Sequence, residues 1–437
     1  MQDNQTLEFT IEPEQQGQYL LFPFEMPEGV ERLDLRYRYE RHRESPASAG
    51  AAVFTAREEI NIIDLGLIAP DGAQVGASGS DKTEITVSET DATPGYRPAA
   101  LAPGRWHILA GAYKVAAEGA RVTYELAFTF KQPRWLKGDL HTHTLASDGV
   151  LTAEELAWRA LRHGLDFLAI TDHNQMVSAA ELPRVPGVTL IPGVEWTHYQ
   201  GHANFLGADR PYDGSFAANT PEEIRQRFVS ARERGALIVV NHPYEDCCQF
   251  VIDRDSIPFD CLEVWNGPMR MSNLQALGLW QSLLAAGHKI PVLGGSDYHR
   301  DTPFIFPGGP TTCVYARSAA ASDILAALKA GHAYITFAPN GPWVDLRAGE
   351  AMMGDTIAWT PGAAVSVRAG GLLAGDVVRL VTAGSNEVIA ESPAAGDLSA
   401  EVPVSAPGFA RVEIWRSFLP GVPMLPAVIT NPVYFMT

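Results

Sequence analysis

Cysteine is scarce in this 437-residue chain: there are four, Cys247, Cys248, Cys261 and Cys313, and the first two are adjacent. That is too few and too irregular for a disulfide framework, so an ordinary apolar core has to hold the fold and the thiols are expected to be reduced. Long hydrophobic runs are missing as well. No segment approaches the roughly 20 apolar residues that span a bilayer, and the start, MQDNQTLEFT, lacks a basic stretch followed by an apolar one. A cytoplasmic protein without a membrane partner is the expectation. Basic charge is the third shortage. Lys and Arg number 33 against 51 Asp and Glu, a formal net charge of −18, which repels polyanions at long range and argues against nucleic acid as a partner. Small anionic substrates remain open.

What the chain does have is an ordered series of metal-binding side chains: His141, His143, Asp148, His173, Glu195, His202, His242, Asp297 and His299. They stand in GDLHTHTLASDG, FLAITDHN, LIPGVEWT, GHANFLG, LIVVNHP and VLGGSDYH, each at or just after the polar end of an apolar run. A strand places residues i and i+2 on one face, so His141 and His143 can point at one ion; Asp297 and His299 repeat the spacing. A lone histidine beside an apolar strand is usually a hydrogen-bonded core or loop residue. Nine ligand-type residues in register with strand ends point instead to one multinuclear centre. Imidazoles and carboxylates, with no cysteine among them, suit zinc, manganese or iron and argue against a thiolate-rich structural zinc site. His163 and His288 fall at helix ends and read as C-terminal cations. His198, three residues after Glu195, competes with His202 as a ligand, and His202 is preferred.

Three segments follow from the periodicity. Residues 1–134 read as a β-sandwich domain, with period two in Leu33, Leu35, Tyr37 and Tyr39 and again in Val122, Tyr124, Leu126, Phe128 and Phe130; Gln132-Pro133 marks the junction. Residues 135–340 alternate strand and helix. Thr152-Ala-Glu-Glu155 and Thr220-Pro-Glu-Glu223 are capping-box starts of helices that end at Gly164 and Gly235, and further helices span about 272–287 and 322–331. The strands between them, such as Leu237–Val240 and Leu262–Trp265, are uniformly apolar, which predicts a parallel, barrel-like α/β domain with its ligands at the C-terminal strand ends. Residues 341–437 return to β, and one sandwich built jointly with the N-terminal segment is one of the arrangements their strands allow.

Taken together, HTHT with SDG, TDHN, GVE, NHP and GSDYH resembles the polymerase and histidinol phosphatase (PHP) family of metal-dependent phosphoesterases, and the β-rich flanks are similar to the branch that includes carbaryl hydrolases. The resemblance implies a distorted (β/α)7-type, TIM-like barrel with flanking β-sandwich domains and two or three divalent ions (Mn, Zn or Fe). It implies that His141, His143 and Asp297 hold one ion, that Glu195 bridges to a second held by His202 and His242, and that Asp148, His173 and His299 hold the third. Asp172 and Glu263 would orient ligands.

Two neighbouring ions lower the pKa of a shared water and grip the attacking and leaving oxygens, which makes hydrolysis the natural reaction. The expected activity is that of a phosphodiesterase on small organic diesters, a bridging hydroxide attacking phosphorus, with Glu195 and Asp297 as the catalytic carboxylates and Asp297 able to accept a proton. Arg300, Tyr298, His198, Asn266 and Arg270 are substrate-contact candidates by adjacency to ligands. The alternatives are a phosphomonoesterase, a carboxylic or carbamic ester hydrolase, and a noncatalytic metal-binding module.

Overall fold

In the strand Val30–Arg38 the side chains of Leu33, Leu35 and Tyr37 are buried while Arg32, Arg36 and Arg38 are exposed, so the period of two in the sequence is the inside–outside alternation of a half-buried strand. The computed structural model describes residues 2–44 and 57–437, and the chain divides into units 1–132 and 133–437. The N-terminal unit is a sandwich of two four-stranded antiparallel sheets. One runs in the order Gln2–Ile11, Ala120–Phe130, Val30–Arg38, Glu84–Ser88, and the other Tyr19–Met26, Gly104–Lys114, Ile62–Ile68, Gln74–Ser78. Leu33, Tyr37, Trp106, Ile108, Tyr124 and Phe128 share the core between them, and Tyr37 relieves its buried hydroxyl by donating to the Ile63 carbonyl at 2.6 Å. A surface depression of about 820 Å3 on this unit is lined by Arg32, Asp34, Arg36 and Glu84. Those charges already pair with one another.

The α/β region of the second unit is built on nine strands: β1 (Arg134–Asp139), β2 (Phe167–Ile170), β3 (Thr189–His198), β4 (Gly201–Leu206), β5 (Leu237–Val240), β6 (Cys261–Asn266), β7 (Val292–Gly295), β8 (Thr311–Ala316) and β9 (Ala333–Thr336). Their order in the sheet is 7-6-5-4-3-2-1-8-9. The sheet is mixed where the sequence suggested a parallel one: β1–β2–β3 and β5–β6–β7 are parallel, but β4 runs antiparallel to both β3 and β5, and β8 antiparallel to β1. The reversal of β4 has a local cause, because only the two residues Tyr199 and Gln200 separate it from β3 and no crossover helix fits in that space. The sheet curls until β7 reaches β8: the Thr312 hydroxyl donates to the Gly294 carbonyl at 2.7 Å and accepts from its amide at 3.0 Å.

Four helices cover the sheet: α1 (Ala153–Arg162), α2 (Pro221–Glu233), α3 (Met271–Ala285) and α4 (Ala321–Ala330). Both expected capping boxes form, Thr152 with Glu155 and Thr220 with Glu223, each worth about 1 kcal/mol of helix stability. Helix α1 buries Leu156 and Ala160 against Leu168 and Ile170 of β2. No described helix is long and apolar enough to cross a membrane.

In the C-terminal segment β10 (Leu425–Thr430) pairs antiparallel with β9, Ile429 opposite Ile335, so the sheet of the α/β region continues into that segment. Arg411 fastens it further: fully buried, it lies over the Trp280 ring of α3 at 4.7 Å, donates to Gln281 Oε1 at 2.9 Å and pairs with Glu413 at 2.5 Å.

Candidate metal centre

Just past β1 the chain stays extended through His141, Thr142 and His143 and lies alongside Asp297, Tyr298 and His299. The Asp297 amide donates to the His141 carbonyl and the His143 amide to the Tyr298 carbonyl, both at 2.9 Å. The two i, i+2 pairs read from the sequence are therefore hydrogen-bonded neighbours. Asp139 ties this junction from below, accepting from the amides of Ser296 (2.9 Å), Gly308 (2.7 Å) and His141 (3.3 Å). Burial pushes its carboxyl up to about 6 against the pull of those bonds. Gly295 is needed for the approach, since a Cβ there would lie 2.4 Å from that of His141. Among the described residues, the non-glycine positions with positive φ are Asn174 (52°), His242 (24°) and Asp297 (52°). All three sit where strands deliver side chains to this centre, and such strain clusters at functional sites.

Glu195 is the hub. Its Oε1 lies 3.3 Å from His141 Nε2, 3.1 Å from His202 Nδ1 and 3.2 Å from His242 Nε2, and its Oε2 lies 2.7 Å from His173 Nδ1 and 3.7 Å from His143 Nε2. Asp297 Oδ1 faces His143 Nε2 at 3.0 Å and His141 Nε2 at 3.4 Å. On the outer side, Asp148 Oδ1 faces His299 Nε2 at 3.2 Å, His173 Nε2 at 3.7 Å and His143 Nδ1 at 4.0 Å. All nine residues singled out in the sequence are thus brought together, in overlapping sets of donor atoms spaced closely enough to hold metal ions.

The donor set also passes a test of fit. His141 Nε2, both ring nitrogens of His143, Glu195 Oε2 and Asp297 Oδ1 are buried without a properly oriented hydrogen bond. Uncompensated buried polar atoms are costly, and these converge on the same points that first-row divalent ions with nitrogen and oxygen ligands require. The electrostatics agree. Burial pulls His141 and His242 down, but their neighbours outweigh it and hold both imidazoles well above their ordinary value: the carboxylates of Asp297, Glu263 and Glu195 act on His141, and the hydrogen bond with Cys248 together with the carboxylates of Glu195 and Glu263 act on His242. His143, where burial wins, is held below its ordinary value. Burial raises Glu195 and Asp297, yet the imidazoles overcome it and both carboxyls fall well below the usual range.

Behind the ligands stands a buried polar layer. Glu263 accepts from His141 Nδ1 and from the His242 amide, both at 3.0 Å. Asn241 donates to Glu195 Oε1 at 3.0 Å, and Thr197 Oγ1 lies 2.7 Å from His173 Nδ1. Asp172 accepts from the Thr144 amide and the Ser147 hydroxyl, each at 2.7 Å, and so shapes the turn carrying Asp148. Sequence reading missed Asn241, although it directly precedes His242, and Thr197, which follows Glu195 at the i+2 spacing. It missed Cys248 too, whose Sγ lies 3.7 Å from His242 Nδ1.

The substrate-contact candidates separate. Asn266 is buried and donates to Glu263 Oε2 at 3.2 Å and Asp297 Oδ2 at 3.3 Å, so it supports ligands. Arg270, at the start of α3, donates to Asn266 Oδ1 at 3.0 Å and to Glu245 at 3.1 Å. Arg300 is exposed next to His299. Two expectations are corrected. Tyr298 is fully buried among Leu156, Leu165 and Leu168, because its side chain points to the opposite face from Asp297 and His299. His198 is stacked on Trp196 with its Nε2 donating to the Ala218 carbonyl at 2.9 Å and its Nδ1 accepting from the Gln200 amide, which leaves it outside the centre and His202 inside.

Residues 139–229 match the sequence profile of the PHP domain. The chain carries a PHP domain. The 5'-3' exoribonuclease Rnm of Escherichia coli (strain K12) is 39% identical over 107 residues, 22% of this chain and 36% of that protein. The 3',5'-nucleoside bisphosphate phosphatase of Chromobacterium violaceum is 34% identical over 105 residues, again 22% of this chain and 36% of that protein. The chain thus spans about a third of the length of these relatives. Among solved structures, a two-domain protein from Bacteroides vulgatus described as containing a predicted PHP-like metal-dependent phosphoesterase is 18% identical, with a TM-score of 0.40 and coverage of 69% of this chain and 95% of that one.

Proposed function

We propose that this chain is a metal-dependent phosphoesterase that hydrolyses small organic phosphate diesters. The observation that carries the reading is the position of Glu195, whose Oε1 faces His141, His202 and His242 while its Oε2 faces His173 and His143, as a carboxylate shared between cations would. His141, His143 and Asp297 would hold one ion, His202 and His242 with Glu195 a second, and Asp148, His173 and His299 a third. Bound divalent ions there supply an acidified water and positive charge for phosphoryl oxygens.

The chain's own residues provide the rest. Glu263, Asn241 and Asn266 fix ligand rotamers before substrate arrives, which spares reorganisation during reaction. Asn266 restrains Oδ2 of Asp297 and so aims Oδ1 at the point that His141 and His143 face, and Asp297 would also be the carboxylate beside the attacking water that can accept its proton. Arg270 is engaged with Glu245 and Asn266, which leaves exposed Arg300 as the neighbouring cation for a non-bridging oxygen. With Arg300 as that cation, the single charge of a diester is matched better than the double charge of a monoester. A phosphomonoester is the second reading, favoured by the Asp148 set, which offers room for a further cation, and by the bisphosphate phosphatase among the relatives. Four free cysteines fit the reduced cytoplasm.

The deciding experiment compares kcat/KM for a bis-aryl phosphate, an aryl phosphate, an aryl carbamate and a short oligoribonucleotide after reconstitution with manganese, zinc or iron. The diester should lead. A tenfold lead for the carbamate would overturn the phosphoester reading, and a lead for the monoester or the oligoribonucleotide would replace the substrate alone.

A further inference from the structure

Rings that face the centre through Nε2 are held from behind at Nδ1. Glu263 Oε1 lies 3.0 Å from His141 Nδ1, and the Asp297 carbonyl lies 2.9 Å from His299 Nδ1. The reason is chemical: a neutral imidazole that offers Nε2 as a ligand carries its one proton on Nδ1, and a buried N–H needs an acceptor. His242 presents Nε2 to Glu195 Oε1 at 3.2 Å, with its side chain only 3% exposed. What faces its Nδ1 is sulfur, the Cys248 Sγ at 3.7 Å. The two nitrogens of an imidazole point away from each other, so this thiol stands behind the ring and the centre in front of it.

The loop after β5 holds the thiol in that place by contacts of its own. Beyond His242 the chain folds back on itself: the Glu245 amide donates to the His242 carbonyl (3.0 Å), the Cys248 amide to the Glu245 carbonyl (3.1 Å) and the Phe250 amide to the Pro243 carbonyl (3.1 Å). The Glu245 carboxylate accepts from Arg270 at 3.1 Å and from the Ser272 hydroxyl at 3.0 Å, which fastens the near side of the loop to the start of α3. The far end is pinned to the β3–β4 turn, where the Val251 amide donates to the Gln200 carbonyl at 2.8 Å. His242 needs such a backstop. It stands at φ 24°, outside the conformations that ordinary side chains adopt, so no regular strand geometry sets the aim of its ring.

From this arrangement we infer that Cys248 is a positioning residue: its sulfur accepts the Nδ1 proton of His242 and so aims Nε2 at the ion shared with His202 and Glu195, without binding that ion itself. The inference rests on the metal-binding reading of the centre and is independent of which ester is cleaved. Partners on the second ring nitrogen of a metal-bound histidine fix its tautomer and orientation and raise its basicity as a ligand. At His141 a carboxylate does this; at His242 a thiol does. Cys247, whose Sγ is 3.0 Å from that of Cys248, is exposed and serves as the control.

The test compares Cys248→Thr with Cys248→Val, two replacements of nearly the same shape that differ in whether an acceptor remains. When the metal-stripped full chain is titrated with zinc against a competing chelator, Cys248→Val should weaken the binding of one ion by about tenfold to a hundredfold, while Cys248→Thr and Cys247→Ser stay near wild type. Equal affinities in the threonine and valine variants would reduce Cys248 to filling space and overturn the inference. Two measurements on the wild-type sequence stand even if the valine variant fails to fold. In protein labelled with [15N]histidine and loaded with zinc, the proton of His242, assigned against His242→Gln, should be on Nδ1; a proton on Nε2 would overturn the inference. Loading with cobalt(II) should give no thiolate-to-metal charge-transfer absorption in the near ultraviolet, and a band that Cys248→Thr abolishes would make the thiol a ligand and overturn it as well. Failure to cleave any ester with the zinc pattern intact would sink the proposed function and leave this role standing.

Discussion

Asn266 holds Asp297 from behind: its Nδ2 lies 3.3 Å from Oδ2, while Oδ1 faces His143 Nε2 at 3.0 Å. Asp297 stands at φ 52°, so its aim depends on that restraint as well as on its backbone. Asn266→Ala is expected to leave most of the bound metal in place but to lower turnover between about tenfold and a hundredfold, measured by elemental analysis and steady-state kinetics on one preparation. Unchanged turnover would show that Asp297 needs no such support.

Replacing the hub is more severe. In Glu195→Gln a neutral amide faces the imidazoles of His141, His173, His202 and His242 in place of a carboxylate. Metal content should fall by at least one ion per chain and activity should fall with it. A variant with full metal and full turnover would remove Glu195 from the bridging role.

The metal-free protein should be alkali-sensitive. His141 and His242 have folded pKa values well above the ordinary 6.5, so the stability they contribute is fully present below 6.5 and is lost as pH rises through the folded values. Glu195, held well below its ordinary 4.5, contributes above that value and loses its share as pH falls through the folded one. Thermal melts of the stripped protein should therefore peak between these limits and decline towards pH 9, and added zinc should flatten the alkaline decline while releasing protons into unbuffered solution. A metal-free Tm that climbs from pH 7 to 9 contradicts this.

A single methyl group should disrupt the centre from within. In Gly295→Ala the new Cβ meets the His141 Cβ at 2.4 Å and Glu263 Oε1 at 3.0 Å. Overpacking of this kind costs about 1 to 3 kcal/mol, and here it displaces a ligand and the carboxylate that orients it. Chemical denaturation combined with metal analysis should show both losses. Wild-type metal content would mean that the segments at 141 and 295 can separate freely.

Much of this centre was legible beforehand, for reasons visible in individual residues. The i, i+2 spacing of His141 with His143 and of Asp297 with His299 encodes a shared face, and Thr152 with Glu155 encodes a helix start through side-chain bonds to nearby amides. These signals are local. Strand direction is not: GHANFLG is an apolar run whichever way it lies, and the reversal of β4 follows from the short turn before it. Tyr298 misled because adjacency to ligands was read as proximity to substrate, although neighbours on a strand point to opposite faces. Cys248 escaped because a folded loop, not a strand period, returns it to His242. The pairing of β10 with β9 joins residues such as Tyr334 and Thr430, and alternation along either strand does not specify its partner.

That pairing bears on truncation. Arg411→Ala would leave Glu413 buried without its cation, and breaking a buried pair of this kind costs about 3 to 5 kcal/mol. The midpoint of urea denaturation of the α/β unit should drop accordingly. A change below about 1 kcal/mol would mean that the strands after Gly341 contribute little to that unit.

The short β3–β4 hairpin has a consequence for how the centre comes together. Glu195 and His202 are seven residues apart and meet as soon as the hairpin closes. The junction that brings Asp297 to His141 requires Asp139 to find Ser296 across 157 residues, and loop-closure entropy makes that encounter costlier by about 3 kcal/mol. The Glu195–His202 half of the centre is therefore expected early in folding, and the half that needs Asp297 beside His141 only when the sheet has curled round on itself. An ion captured by the early half becomes a clasp for the late one, and its presence should speed the final docking step of refolding more than the formation of the sheet that precedes it.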